Sequence, residues 1–470
     1  MGQKELKRGR IMEKIILLHT NDLHSHLENW PKIRRFLLNR KQEETAEQRI
    51  ITIDLGDFVD RWHPLTEATD GQANVQLMNQ IHYDAATIGN NEGVGNSKGE
   101  LNRLYDHANF DVLLDNLFDK QTLQPPKWAQ QSKIITTEQG TKVGLLAFTA
   151  PFPLTYNPNG WDIRQVMDIL PNLVEELRPQ VDVLVLMSHL GISVDRRIAR
   201  ELPAIDVILG SHTHHLFETG EKIGPVQLAA AGKYGYYVGE VHLTVDEEHQ
   251  IQQTSARTFA TEKMLALPED QGEIEGYLTK GHRLLAEKKV AEVPYAMRTD
   301  LQSEHPMIVD TLKAVKEAAN VDAAVLNSGL FLTDVPAGVV DQDQLHRALP
   351  HPMHLIKVTL DGANLIRLIL EMEKNRHFLI NFPVMGMGFR GKVFGHLVYD
   401  GIAYDSVNHQ VRWLGEPIDP EMEYTLATVD HYMFVPFFPT IEIAGQYEFL
   451  FPDFIRSVLG DYLHTHYPIK

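Results

Sequence analysis

The chain has 470 residues, 43% hydrophobic and 23% charged, with 32 glycines and 24 prolines, a balance that excludes a disordered or fibrous protein and leaves room for two domains. Its 44 Lys+Arg against 63 Asp+Glu give a formal charge of −19, so most of the surface repels a phosphate backbone and no polymeric nucleic-acid partner is expected. Cysteine is absent, which removes disulfides, thiolate ligands and cysteine nucleophiles and leaves His, Asp, Glu and Asn for any metal chemistry.

The chain opens on a basic segment whose apolar run, Ile15 to Leu18, is too short for the core of a signal peptide. No stretch of about 20 apolar residues follows that could cross a membrane. The expectation is a cytoplasmic protein with no membrane partner, and Met12 as an alternative start. No heptad pattern points to a coiled-coil partner.

Six apolar runs follow in order: KIILLHT from Lys14, RIITIDLGD from Arg49, AATIGNN from Ala85, KVGLLAFTA from Lys142, VDVLVLMSH from Val181 and IDVILGSH from Ile205. Continuous apolar runs of this kind suit strands covered on both faces, and polar helical stretches between them predict a layered α/β domain over 13–265. From Pro268 to Lys289, apolar residues recur at roughly helical spacing in a charged segment, which predicts a linker helix over 266–290. Beyond it, strand-like AAVLNSG, HLIKVTL and YTLATVD and the amphipathic GANLIRLILEMEKN predict a smaller α/β unit over 291–470.

Five of the early runs lead into polar clusters: Asp22 and His24, then Asp57, Asn90, His189, and the pair His212 and His214. Alternate residues of an extended segment share a side, so Asp22 with His24, and His212 with His214, are expected to face one way. Ligands of open α/β sheets bind at the carboxyl ends of the strands, where these clusters fall. A carboxylate shared by two cations and flanked by imidazoles and an amide oxygen suits first-row metals. One histidine at a strand end is most often a core or loop residue, but five clusters after five strand-like runs point to a site.

HTNDLHSH and the order D-x-H, G-D, G-N-x-E, lone His and S-H-x-H resemble the 5'-nucleotidase family of calcineurin-like metallophosphoesterases, from about Lys14 to Leu463. The resemblance implies an N-terminal four-layer α/β/β/α metallophosphoesterase domain and a smaller α/β C-terminal substrate domain. It also implies two divalent metal ions (Mn, Zn, Fe, Co or Mg), one held by Asp22, His24 and His214, the other by Asn90, His189 and His212, with Asp57 bridging. The implied reaction is hydrolysis of a small phosphorylated substrate, a nucleotide, by a metal-bridging hydroxide.

Two departures qualify that picture. Asn91 stands where the family has the histidine that contacts the phosphoryl group, so Asn91 is expected at the catalytic position with an amide hydrogen bond in place of a cationic donor. NSGLFLTDVPAG resembles the family's C-terminal signature, with Leu332 in place of the usual arginine and PHPMH in place of P-F-G-N. The resemblance and the distribution of aromatic residues make Asn327, Phe389, Arg390 and Phe434 the expected substrate-binding residues. The alternatives are a cyclic-nucleotide or dinucleotide phosphodiesterase, and a nucleotide-binding module that has lost turnover.

Overall fold

In the computed structural model, which describes residues 12–469 except Met385 and Met387, the six apolar runs form strands. The chain divides into two units, Met1–Leu278 and Thr279–Lys470, and the division falls inside the helix Glu269–Ala286. Residues 1–11, most of the basic N-terminal segment, lie outside the described part.

The first unit is built on two six-stranded sheets. In the first sheet, β1 (Glu13–Thr20), β2 (Gln48–Asp54), β3 (Ala85–Ala86) and β4 (Asp111–Val112) run parallel. The second sheet has β5 (Lys133–Thr136), β6 (Lys142–Thr149), β7 (Val183–His189), β8 (Val207–Gly210), β9 (Glu221–Ile223) and β10 (Val226–Ala229), of which β6, β7, β8 and β10 are parallel. The hairpin β11 (Tyr237–Val245) and β12 (Ile251–Ala260) returns to the first sheet, with β11 antiparallel to β1.

Strand alternation sorts even the uniformly apolar runs into two cores. Ile15 and Leu17 of β1 share one buried cluster with Leu145 and Ala147 of β6 and Val183 and Val185 of β7, which places the two sheets face to face. Leu146 and Phe148, the intervening residues of β6, belong instead to a cluster with Leu170 and Val174 of the helix Val166–Leu177. On the first sheet's side, the helix Trp30–Lys41 buries Trp30, Ile33 and Leu37. The result is the four-layer α/β/β/α arrangement.

Parallel pairing brings the carboxyl ends to common edges. Thr20 lies opposite Asp54, and Asp54 opposite Ala86. In the other sheet Thr149 lies opposite His189, and Ser188 opposite Gly210. All the metal-type clusters of the sequence leave from these ends.

The second unit carries a five-stranded mixed sheet in which Ala323–Asn327 and Glu423–Val429 are parallel and His354–Asp361 is antiparallel to its two neighbours. The amphipathic segment is the helix Gly362–Leu379, started by the Asp361 carboxylate accepting the Asn364 N–H. Among the described residues no helix is long and apolar enough to cross a membrane.

Asp54, at the end of β2, is 1% exposed and accepts hydrogen bonds from the Thr20 hydroxyl (2.6 Å) and the Gly56 N–H (3.0 Å). Burial pushes its carboxyl up to about 8 against those hydrogen bonds. The folded chain thus keeps a proton that the unfolded chain has lost above about pH 4, and stability falls as pH rises through that window to about 8. In Asp54→Asn, thermal midpoints of the metal-free protein should decline less with pH across this range; an unchanged slope would show that the carboxyl is ionised throughout.

Candidate metal centre

The strand ends assemble two groups of side chains, Asp22 with His24 and His214, and Asp57 with His189 and His212, each group's ligand atoms lying within 4.8 Å of one another. Asp57 joins them, its Oδ2 standing 3.6 Å from His24 Nε2 and 3.4 Å from His189 Nε2. In the first group, His24 Nε2 and His214 Nε2 are 3.1 Å apart, and Asp22 Oδ1 is 3.9 and 3.7 Å from them. Nitrogen lone pairs and carboxylate oxygens converging in this way suit a cation.

Asn90 opens the short helix Asn90–Val94 that follows β3. Its Oδ1 is buried without a hydrogen-bond partner among the described residues, as are His189 Nε2 and His212 Nδ1. Buried polar atoms usually find a partner, and two of these three belong to the second group. The donor set therefore fits divalent metal, with nitrogen and oxygen ligands only.

How the side chains come to face each other differs from the expectation drawn from strand alternation. Asp22, His24, Asp57, His212 and His214 lie beyond their strands with φ of 50, 50, 53, 72 and 59°. Successive left-handed turns, and not the pleat, aim them. Few residues adopt this region, and Asp, Asn and His adopt it more readily than most.

Hydrogen bonds hold the unusual backbone in place. Glu92, 1% exposed, accepts the N–H groups of Asp57 (2.9 Å) and Gly89 (2.8 Å) with Oε2 and that of Val59 (2.8 Å) with Oε1. Gly89 must be glycine, because a Cβ there would lie 2.0 Å from Asp57 Oδ1 and 2.5 Å from His189 Cε1. Asn21 ties Asp22 to the loop before β11 by donating to Asp22 Oδ2 (2.8 Å) and Gly232 O (2.7 Å).

The imidazoles are oriented from behind. His189 Nδ1–H donates to Leu55 O at 2.8 Å, which leaves Nε2 as the ligand nitrogen. On His24 the outer nitrogen Nδ1 lies 3.3 Å from Asp60 Oδ2, the acceptor for its proton. Burial opposes charge on His189, but Asp57 beside it raises its pKa to about 10. Burial, and then the neighbouring His189, lowers His212 to about 4; burial, His24 and Lys233 lower His214 to about 3. Values this low leave His212 and His214 as neutral imidazoles, the form that binds a cation.

Asn91, expected at the catalytic position, lies against both groups. Its backbone N–H donates to Asp57 Oδ1 at 2.8 Å, its Oδ1 accepts Asn90 Nδ2 at 3.0 Å, and its Nδ2 lies 2.9 Å from His24 Nδ1. The amide oxygen is engaged by Asn90, and the amide nitrogen abuts the His24 ring. Nothing in the sequence pattern signalled this, nor the parts played by Asp60 and Asn21.

In the second unit the four expected substrate residues are not alike. Asn327 is 0% exposed, its amide donating to Phe394 O (2.6 Å) and accepting the Tyr432 hydroxyl (3.2 Å), so the geometry makes it a buried brace. Phe389 is 4% exposed and stacks on His351 at 5.1 Å and His431 at 5.7 Å, so aromatic packing occupies the ring expected to meet a base. Arg390 is half-buried, its N–H donating to His351 Nδ1 at 2.9 Å. Phe434 is 52% exposed.

Comparison with known proteins agrees with this geometry. Residues 15–216 match the model of the calcineurin-like phosphoesterases and 289–434 that of the 5'-nucleotidase C-terminal domain. The chain is 37% identical to the uncharacterized metallophosphoesterase YunD of Bacillus subtilis, over 95% of this chain and 98% of that protein. It is 26% identical to the snake venom 5'-nucleotidase of Crotalus adamanteus, over 59% of this chain and 49% of that one. A putative 5'-nucleotidase structure from Staphylococcus aureus shares the fold with a TM-score of 0.66, covering 96% of both chains at 18% identity.

The fold and these matches define a metal-dependent phosphoester hydrolase. More closely, the chain belongs to the family of calcineurin-like metallophosphoesterases that carry a 5'-nucleotidase C-terminal domain.

If Glu92 fixes the ligand loops, Glu92→Gln should weaken Mn binding by about 10- to 100-fold, the range for groups that orient ligands. Titration calorimetry on metal-stripped protein reads this directly. Unaltered affinity would show that the loops keep their shape without the carboxylate.

Proposed function

We propose that the chain hydrolyses phosphate monoesters of nucleotides with two divalent cations, one at Asp22, His24 and His214, the other at Asn90, His189 and His212, with Asp57 between them. The observation that carries the reading is the pair of side-chain groups joined by Asp57, each with its ligand-type atoms within 4.8 Å of one another. Bound there, two such ions would supply a nucleophile from water near neutral pH and offset the charge on the phosphoryl oxygens. Mn, Zn, Fe, Co and Mg all suit oxygen and nitrogen donors to differing degrees.

The protein's own groups position and tune. Asp57 sets the spacing of the two sites, and its carboxyl stays ionised because the charges of His189 and His24 and the Asn91 N–H outweigh its burial. Asp60 holds the His24 proton on Nδ1, and Leu55 O does the same for His189. Asn91 acts as a positioning residue for Asp57 through its backbone N–H. Within the second unit, exposed Phe434 and Arg390 beside Phe389 are the residues whose types suit a nucleotide contact.

The neutral amide at 91 favours, as a second reading, a diester substrate, which carries less charge at the phosphoryl group than a monoester. Reloading the stripped protein with Mn, Zn, Co or Mg and measuring phosphate release from nucleoside monophosphates, cyclic nucleotides, dinucleotides and bis-p-nitrophenyl phosphate separates the two. Release from monophosphates is the expected result; hydrolysis of diesters alone would establish the second reading. Asp57→Asn weakens both cation sites at once, so kcat should fall by at least about 100-fold, and near-normal turnover would refute the bridging role.

A further inference from the structure

With asparagine at 91, no Lys, Arg or protonated imidazole has yet been placed to meet a phosphoryl oxygen. The loop 231–235 before β11 carries a lysine on the ring that neighbours His24 and His214. Its Lys233 is half-buried, and its Nζ stands 4.5 Å from the centre of the Tyr234 ring. That ring in turn lies 5.8 Å from the His24 ring and 6.2 Å from the His214 ring. Among the described residues Lys233 has no carboxylate partner, in a chain where acidic groups outnumber basic ones 63 to 44.

The loop is built to keep the lysine there. Tyr234 N–H donates to Asp22 O (2.7 Å), Asn29 Nδ2 to Tyr234 O (2.8 Å), and Gly232 N–H to His215 O (2.8 Å), which tie the loop to both ligand loops of the first cation site. Tyr234 takes φ of 59°, a conformation that a bulky residue rarely adopts. Gly235 follows at φ of 66°, where a Cβ would lie 2.6 Å from Ile33 and Leu23 side-chain carbons. Strain of this kind persists where surrounding structure enforces it, most often at functional sites. The tyrosine ring carries His26 at 3.9 Å and the ammonium at 4.5 Å, so its part is to seat Lys233 by cation–π attraction.

We propose that Lys233 is the cationic contact for a dianionic phosphoryl group at this centre, the charge that residue 91 does not provide. Its ammonium meets an oxygen of the phosphate of a monoester substrate, and of inorganic phosphate as product. It is a substrate contact and holds no metal. The dianion of a monoester gains more from this charge than the monoanion of a diester, so Lys233 also sets the preference between them. The inference rests on the two-cation reading of the centre.

The test is calorimetric binding of inorganic phosphate to Mn-loaded protein, comparing the wild type with Lys233→Gln, Lys233→Arg and, as a control, Lys142→Gln at the opposite, amino-terminal end of β6. Manganese content is measured on each. Lys233→Gln should keep its manganese and bind phosphate about tenfold more weakly, the scale expected for one lost charged hydrogen bond; Lys233→Arg and Lys142→Gln should stay within about threefold of the wild type. In turnover, KM for p-nitrophenyl phosphate should rise more than KM for bis-p-nitrophenyl phosphate. Unchanged phosphate affinity in a fully loaded Lys233→Gln overturns the proposal and leaves the two-cation reading intact. Loss of manganese in Lys233→Gln would make the residue a structural support of the cation site and also overturn it. A wild type that binds no divalent cation overturns both readings.

Discussion

Two carboxylates, Asp22 at 0% and Asp57 at 2% exposure, are buried side by side at the junction of two sheets, and each raises the cost of ionising the other. Burial of like charge is among the least favourable arrangements a fold can adopt, and it persists only with compensating charge close by. His24 and His189 supply part of that compensation within the chain, and a divalent cation would supply the remainder. The glycines at 56 and 89, the Glu92 bridge and the Asn21 clasp all serve this juxtaposition. A Cβ on Gly56 would lie 2.2 Å from Gly89 N, so the two loops approach as closely as backbone allows.

Much of the first unit was legible in the sequence because its strands are nearly uniform apolar runs and each ends in a ligand-type residue. What those runs could not reveal was the split of alternate residues between two cores, since Leu145 and Leu146 look the same in a list of letters yet face opposite layers. The candidate ligand residues stood out for the same reason as the strands. Their shared direction was attributed to the pleat, whereas it arises from left-handed turns that local pattern does not encode. The residues that steady the ligands were harder to see: Asp60, Asn21 and Asn91 act through contacts to other loops, and their spacing carries no period.

The second unit was legible in its strands and its long helix, and less so in its aromatic residues. An aromatic ring in a loop reads the same whether it faces solvent or the interior, and only packing separates Phe434, which is exposed, from Phe389, which lies among histidines. His351 illustrates the difficulty. It is fully buried, donating from Nε2 to Leu330 O at 2.7 Å and accepting the Arg390 N–H at Nδ1, and burial pushes it down to about 3. In the sequence its PHPMH segment stood only as a departure from P-F-G-N, and in the fold it is a neutral hydrogen-bonding post.

The left-handed backbone at Asp22, His24, Asp57, His212 and His214 places two demands on the same five positions. Aspartate and histidine satisfy both, since each binds hard or borderline cations and each tolerates positive φ better than β-branched or long side chains do. A redesign that replaced one of these candidate ligands by another good donor would therefore be judged first by the loop, where glutamate or cysteine suits positive φ less well. The vocabulary of the centre is narrower than its coordination chemistry alone would permit, and the backbone does the narrowing.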